Sequence, residues 1–436
     1  MHYCVSGSIL VALLLAGGLA ANANETVIDV APVWAGHPVG FALLTHENQQ
    51  YAAFYDAERK LTVASRGLSE TKWHFAVLPE TLGWDSHNYI AMAMDDEGYL
   101  HLCANMHVKP LVYFRTAKPG DIDTFQRIPS MVGRNEIKCT YPQFLRGPGK
   151  EFIFTYRDGS SGSGDQYYNV YDTKSRTWRR LMEEPLTSGE GDMNAYLAPL
   201  RLGPDGFYHL AWIWRDTGGC ESNHDICYAR SKDWVHWGTG AGKPLKLPIT
   251  LAKADVVDPV PPKGGAINGN VTVGFDSQKR VIVSYIKYDD KGFTQVYNAR
   301  LEQSHWKIYK ISSWDYRWDF SGGGSIPFEV HISPVSLGSD GRLTQSYSNA
   351  KCGSGAWVLD ETSLKPIEDI RRSQPAPAPV TASVPTDKLE SRTCGDSGKS
   401  SVRYVLRWET LGVNRDRKRE GPPPPPSMLK LVRIEP

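Results

Sequence analysis

The chain has almost no excess of either charge: 49 basic residues stand against 48 acidic ones, for a formal net charge of +1. That excludes the global field by which nucleic-acid and anionic-membrane binders gather their partners, so any anionic ligand must be met by local charge. Long apolar runs are also missing, apart from "ILVALLLAGGLA" near the start. About a dozen residues are too few to span a bilayer, which needs roughly 20, and nothing later is long enough. With the small-residue site Ala21-Asn22-Ala23, residues 1–23 read as a secretory signal peptide, although His2 is the only basic group ahead of the run. The mature protein is expected to be secreted or periplasmic, without a membrane partner. Cysteine is scarce: beyond Cys4 there are Cys103, Cys139, Cys220, Cys227, Cys352 and Cys394. In an oxidising compartment these can pair, but sequence does not give a connectivity.

What the chain does have is a repeat. A strand, a Gly or Asp turn and a second strand recur in "NYIAMAMDDEGYLHLCANMH", "YPQFLRGPGKEFIFTYRDG", "YLAPLRLGPDGFYHLAWIWRD", "NVTVGFDSQKRVIVSYIKYDD" and "HISPVSLGSDGRLTQSYSN", each reading as a β-hairpin. A further strand follows each hairpin and leads to an aromatic residue, placing Trp73, Phe125, Trp178, Trp237 and Trp306 at spacings of 52, 53, 59 and 69 residues. A four-stranded antiparallel sheet with its turns takes about 40–50 residues, the size of a propeller blade. A β-sandwich gives no reason to repeat an aromatic at that spacing. Residues 24–436 are therefore expected to form a single all-β propeller domain. Within it, 373–390 ("SQPAPAPVTASVPTDKLE") reads as a proline-rich connector, and 395–436 as closing strands and tail.

Aligning the hairpins on their turns puts His107, Arg157, Arg215 and Lys287 at the ends of successive second strands. His87, Asn88, Tyr141, Asn194, Asn268 and Asn270 fall near the starts of first strands, at the same end. Taken singly, each has a plainer reading: Arg157 precedes Asp158 and Arg215 precedes Asp216, as in surface pairs, and a lone strand histidine is usually packed. Recurrence of a basic residue in four blades argues instead for one polar funnel suited to an anion. In "CESNHDIC", Cys220, His224 and Cys227 suit a structural zinc or calcium ion with a ligand from elsewhere, or else a Cys220–Cys227 disulfide or two unpaired thiols. The run "NRDRKRE" at 414–420 reads as a solvated turn.

The order "SHN", "MDDEGYLHLCANMH", "CTYPQF", "TYRDGSSGSG", "AWIWRDT", "NHDICYARSKDW" and "YVLRWETLGVNRDR" resembles the BNR-repeat (Asp-box related) propellers that include ulvan lyases and rhamnosyl-glucuronate-cleaving enzymes. The resemblance implies a seven-bladed β-propeller of four-stranded antiparallel blades, where the repeats alone count five or six. It also implies a monomeric polysaccharide lyase, with His87, His107, Tyr141 and Arg157 as catalytic residues. Two histidines 20 residues apart and a tyrosine and arginine 16 apart match its pattern. Arg215 corresponds to a uronate-carboxylate contact, with Asn88, Asn194 and Lys287 as further substrate-binding groups. The implied reaction removes the C5 proton of a 4-linked uronate in an acidic polysaccharide and expels O4. It needs cations at the carboxylate, a base and an acid, and no cofactor. His87 is the leading base and Tyr141 its acid partner, with the opposite assignment open. The alternatives are an α-L-rhamnosidase, whose key histidine would be His46, and a noncatalytic carbohydrate-binding propeller. A sialidase is disfavoured because "SKDWVHW" lacks the Asp-box glycine.

Overall fold

Each repeated hairpin of the sequence forms an antiparallel strand pair in the computed structural model, which describes residues 25–372, 389–398 and 402–434. The expected signal peptide and nearly all of the proline-rich connector lie outside the described residues. The described residues form seven antiparallel sheets, here called blades 1 to 7. Blades 1 to 6 start with the strands Ala42–His46, Ala91–Met94, Cys139–Arg146, Asn194–Leu197, Thr272–Phe275 and Val330–Ile332. The recurrent aromatic has a definite place: Phe125 and Trp237 open the fourth strand of their blades, Trp178 and Trp306 stand second in it, and Trp73 immediately precedes it. Middle strands are buried almost throughout, as in Tyr208–Arg215, because each blade is covered on both faces by its neighbours.

Blade 7 unites the two ends of the chain. Leu389–Gly395, Arg403–Leu411 and Ser427–Ile434 are completed by Glu25–Val33, with Glu25 opposite Ile434. Apolar clusters then join neighbours in turn. One runs through blades 7, 1, 2 and 3 and includes Phe41 stacked on Trp408 at 4.4 Å; others join blades 3 with 4, 4 with 5, and 5 with 6. The inner strands of blades 7, 1, 2 and 3 enclose a narrow, largely apolar cavity lined by Phe41, Leu43, Met92, Phe144 and Cys394, too apolar to receive an acidic sugar.

Two blades carry the same buried polar staple. In blade 2, Asp95 in the first turn holds His101 Nε2 at 3.2 Å, and His101 Nδ1 meets the Tyr113 hydroxyl at 2.7 Å on the next strand. Blade 4 repeats it with Asp205, His209 and Tyr228 at 2.9 and 2.6 Å. Burial lowers the pKa of both histidines, so each bridges as a neutral ring, donating to Asp and accepting from Tyr. His101→Ala leaves Asp95 and Tyr113 without their shared partner and is expected to cost about 2–4 kcal/mol. His74→Ala, removing an exposed partner of Asp123, is expected to stay within about 1 kcal/mol. Urea unfolding of the two variants measures the difference.

Candidate active site

The site is built where blades 2, 3 and 4 begin. The tight turn before blade 2 is closed by Asp85, whose Oδ1 accepts from both the backbone N–H and Nδ1 of His87 at 2.8 Å, the local bonding that makes Asp a turn residue. The other oxygen of Asp85 accepts a short hydrogen bond from His107 Nδ1. His107 begins the strand His107–Lys109, which has left blade 2 and pairs with Cys139 and Thr140 of blade 3. Tyr141 sits at a bulge between Thr140 and Gln143 with φ +57°, and precedes Pro142. A non-glycine residue there is strained, by about 1–3 kcal/mol, and the bulge turns its side chain out of the strand's normal alternation.

These groups form one continuous stack. The His107 and His87 rings lie 4.4 Å apart, and both meet Tyr141, at 5.9 and 5.7 Å. The Arg157 guanidinium is sandwiched between Tyr141 and Tyr196, 5.0 and 5.3 Å from their ring centres. Arg215 covers Tyr196 at 4.3 Å and donates to its hydroxyl at 3.1 Å, while Ser161 Oγ stands 2.6 Å from that hydroxyl. Arg157 is 2% exposed, and among the described residues none of its three nitrogens has an acceptor in hydrogen-bonding geometry. A buried, unpaired cation is costly, and its field falls on the two phenols that cover it.

The electrostatics divide the stack into two halves. Burial opposes charge on His87, but Asp416 and Asp85 outweigh it, pushing its pKa up to about 10, so the ring is an imidazolium at neutral pH. Burial likewise opposes ionisation of Asp85, and hydrogen bonds from His107 and His87 hold it well below the carboxylate range nonetheless. At the other half, burial raises the Tyr196 phenol, but Arg157 and Arg215 bring it down to about 7. Tyr141 moves the opposite way, raised by burial and then by the Tyr196 charge. Behind the carboxylates His37 is fully buried, accepts from Trp34 Nε1 at 2.9 Å, and is kept neutral by burial, with a pKa near 4.

The structure thus brings together His87, His107, Tyr141, Arg157 and Arg215, and rearranges several expected roles. His87, expected as a neutral base, is a cation. The donors of Arg215 are turned onto Tyr196, Asn223 and Asn268. Lys287 is paired with Asp258 at 2.6 Å and takes no part in the stack. Asn194 pins the backbone of Gly162 at 2.6 Å. Asn88 is buried beside His87, and its side-chain amide has no partner among the described residues. Cys220, His224 and Cys227 do not converge: the cysteines belong to different apolar clusters, and His224 stands between Asp216 and Asp225, 2.8 Å from each. Cys103, Cys139, Cys220, Cys227 and Cys352 are free thiols, so Cys220 and Cys227 are not joined. Among the described residues the His, Cys and acidic donors that do converge are those of Asp85, His87 and His107. There the carboxylate accepts from both Nδ1 atoms. His46 is exposed at the hairpin turn of blade 1, the opposite end of the strands from Tyr141 and Arg157.

Sequence reasoning missed Asp85, Tyr196 and Asp416. Tyr196 follows Asn194 by two, on the first strand of blade 4, and its position matched the alignment that nominated Tyr141. Asp416 lies in the run expected to be a solvated turn; instead its carboxylate reaches His87 Nδ1 at 3.1 Å.

Comparison with known proteins gives the family and the fold. Residues 49–314 match the BNR repeat-containing family. The solved structure of the polysaccharide lyase Uly1 superposes with a TM-score of 0.62 at 13% identity, over 94% of this chain and 99% of that one. A PL25 ulvan lyase superposes at 0.56 and 14% identity, over 89% and 97%. The same type of enzyme bound to -[GlcA(1-4)Rha3S]- gives 0.55 at 14% identity. No curated protein matches. No helix of the described residues is long and apolar enough to cross a membrane.

The electrostatics give a direct test. Ultraviolet difference titration is expected to show one tyrosine ionising near neutrality, with a pKa of about 7. That step should vanish in Tyr196→Phe and move to higher pH in Arg215→Met, since the phenolate loses a cation. Its persistence in Tyr196→Phe would assign it elsewhere.

Proposed function

The chain belongs to the BNR repeat-containing family, and from that membership and the geometry of the stack we propose that it is an exported, monomeric polysaccharide lyase. It cleaves rhamnosyl-(1,4)-uronate linkages in an acidic polysaccharide, with ulvan the leading substrate, by β-elimination. One observation carries this reading: two imidazoles stacked on each other and two phenols, each pair with its own counter-charges, adjoin in a single contiguous cluster of rings.

The roles follow from charge. The C5 proton of a uronate is poorly acidic while its carboxylate is ionised, so cations or donors must take up charge on that carboxylate as the proton leaves. His87 and His107 are bound through Nδ1 to carboxylates, which leaves Nε2 on each for this task. The Tyr196 phenolate, held by Arg157 and Arg215, takes the C5 proton. The C4–O4 bond breaks and its electron pair leaves with O4, which receives the Tyr141 phenol proton; proton return from Tyr196 resets the pair. Tyr141 keeps the acid role expected from sequence, and the base passes from His87 to Tyr196. The rhamnosidase reading rests on His46, which is exposed at the hairpin turn of blade 1, at the opposite end of the strands from Tyr141 and Arg157, and this weighs against it.

Incubation with ulvan is expected to give an absorbing, conjugated unsaturated uronate. Hydrolysis would yield reducing ends without that absorbance, and a binding module would yield neither. Tyr196→Phe and Tyr141→Phe are each expected to lower kcat by roughly 10²–10⁴, and His107→Ala by about 10²–10³, with the fold intact by circular dichroism. Full activity of Tyr196→Phe would remove it as the base.

A further inference from the structure

We infer that Asp416 is a positioning residue: delivered by the last blade, it brackets His87 Nδ1 opposite Asp85 and makes the donor state of that imidazole depend on how blade 7 closes the ring. The functional half of this inference rests on the lyase reading, while its physical half does not.

Asp416 lies between the strands Arg403–Leu411 and Ser427–Ile434 of blade 7. Its Oδ1 accepts from Ser86 N at 3.1 Å; its Oδ2 lies 3.1 Å from His87 Nδ1 and accepts from Ser325 N at 3.0 Å. Both flanks of the turn are tied down. Asn414 donates to Trp84 O at 2.7 Å and accepts from Ser86 Oγ at 3.1 Å, and Arg415 donates to Ser321 O at 2.9 Å. The loop therefore links the turn that carries His87 to the segment entering blade 6. Arg415 and Asp416 have φ of +54° and +58°, two consecutive left-handed non-glycine residues of the sort that surrounding contacts must enforce. On the facing segment a side chain at Gly324 would meet Arg415 O at 2.4 Å, so the backbones approach where only glycine fits.

Asp85 gives one oxygen to each histidine, so its single charge is shared between His87 and His107. The second carboxylate gives His87 an anion of its own. The titratable groups around His87 are Asp85 on its own turn, His107, Tyr141 and Asp416, with neutral His37 behind the carboxylates. Both carboxylates stabilise the cation, so losing one lowers the pH at which the ring gives up its proton.

The test uses the full chain and its Asp416→Asn and Asp416→Glu variants. The first readout is the NMR titration of His87 in histidine-labelled protein, assigned with His87→Gln. The second is the pH profile of elimination on ulvan. In Asp416→Asn the His87 midpoint is expected to fall by at least about one pH unit, a tenfold change in proton affinity. The alkaline limb of kcat/KM should move to lower pH with it. Activity at acid pH, where His87 stays protonated, should remain within about threefold, and Asp416→Glu should restore both readouts. An unmoved His87 midpoint overturns the inference, as does a rate loss equal at every pH, which marks a merely structural contact. Absence of unsaturated product from the unaltered protein would overturn the lyase reading, and the His87 titration would still decide whether Asp416 governs that ring.

Discussion

A single carboxylate shared by two imidazoles organises the site. By accepting from Nδ1 of both His87 and His107, Asp85 sets the tautomer of each ring, stacks them 4.4 Å apart and leaves the same nitrogen available on both. Neither histidine could be placed this way by its own blade. His87 belongs to the turn into blade 2, and His107 to a strand that has crossed to blade 3. The carboxylate thus joins two blades as well as two rings, and blade packing and site geometry stand or fall together.

Tyr141 and Tyr196 are governed by a second constraint, the buried charge of Arg157. A guanidinium without hydrogen-bond acceptors among the described residues is tolerable only if the charge is offset, and the covering phenols supply both aromatic faces and an ionisable hydroxyl. Arg215, bound to Asn223, Asn268 and Tyr196, adds a second cation on the far side of Tyr196. The pair therefore holds one phenolate between two arginines and one phenol held protonated, an acid and a base made from the same side chain.

Much of this was legible in the sequence, and the exceptions have physical causes. Strand order within a blade follows from hairpin alternation and the recurrent aromatic, because blades repeat one local unit, whereas the repeats alone count five or six blades and the number seven comes from the family resemblance. Aligning hairpins also found His107, Tyr141, Arg157 and Arg215, since position along a strand fixes which end of the blade a residue reaches. The method failed where a role depends on partners. Lys287 occupies the equivalent position and is neutralised by Asp258, a residue outside the aligned hairpins. Residue type alone suggested a neutral imidazole at His87, whereas its charge is set by Asp416, 329 positions along the chain. Charge patterning read 414–420 as solvent-facing because its basic residues outnumber its acids, and only the ring's closure brings one of those acids to the site.

The charges of the stack nearly cancel before any substrate arrives: Asp85, Asp416 and the Tyr196 phenolate stand against His87, Arg157 and Arg215. On the proposed lyase reading, a bound uronate would add one more anion to this balance. Its carboxylate is attracted to the imidazole half, where His87 is cationic, and repelled by the phenolate half, which orients the sugar with its acid toward the histidines. The same repulsion disfavours the ionised form of Tyr196, so its pKa rises as the substrate docks. A phenolate stable enough to exist at neutral pH in the free protein becomes a stronger base once the proton it is to remove is beside it. On that reading the arginines make the base available, and an acidic substrate itself sharpens it.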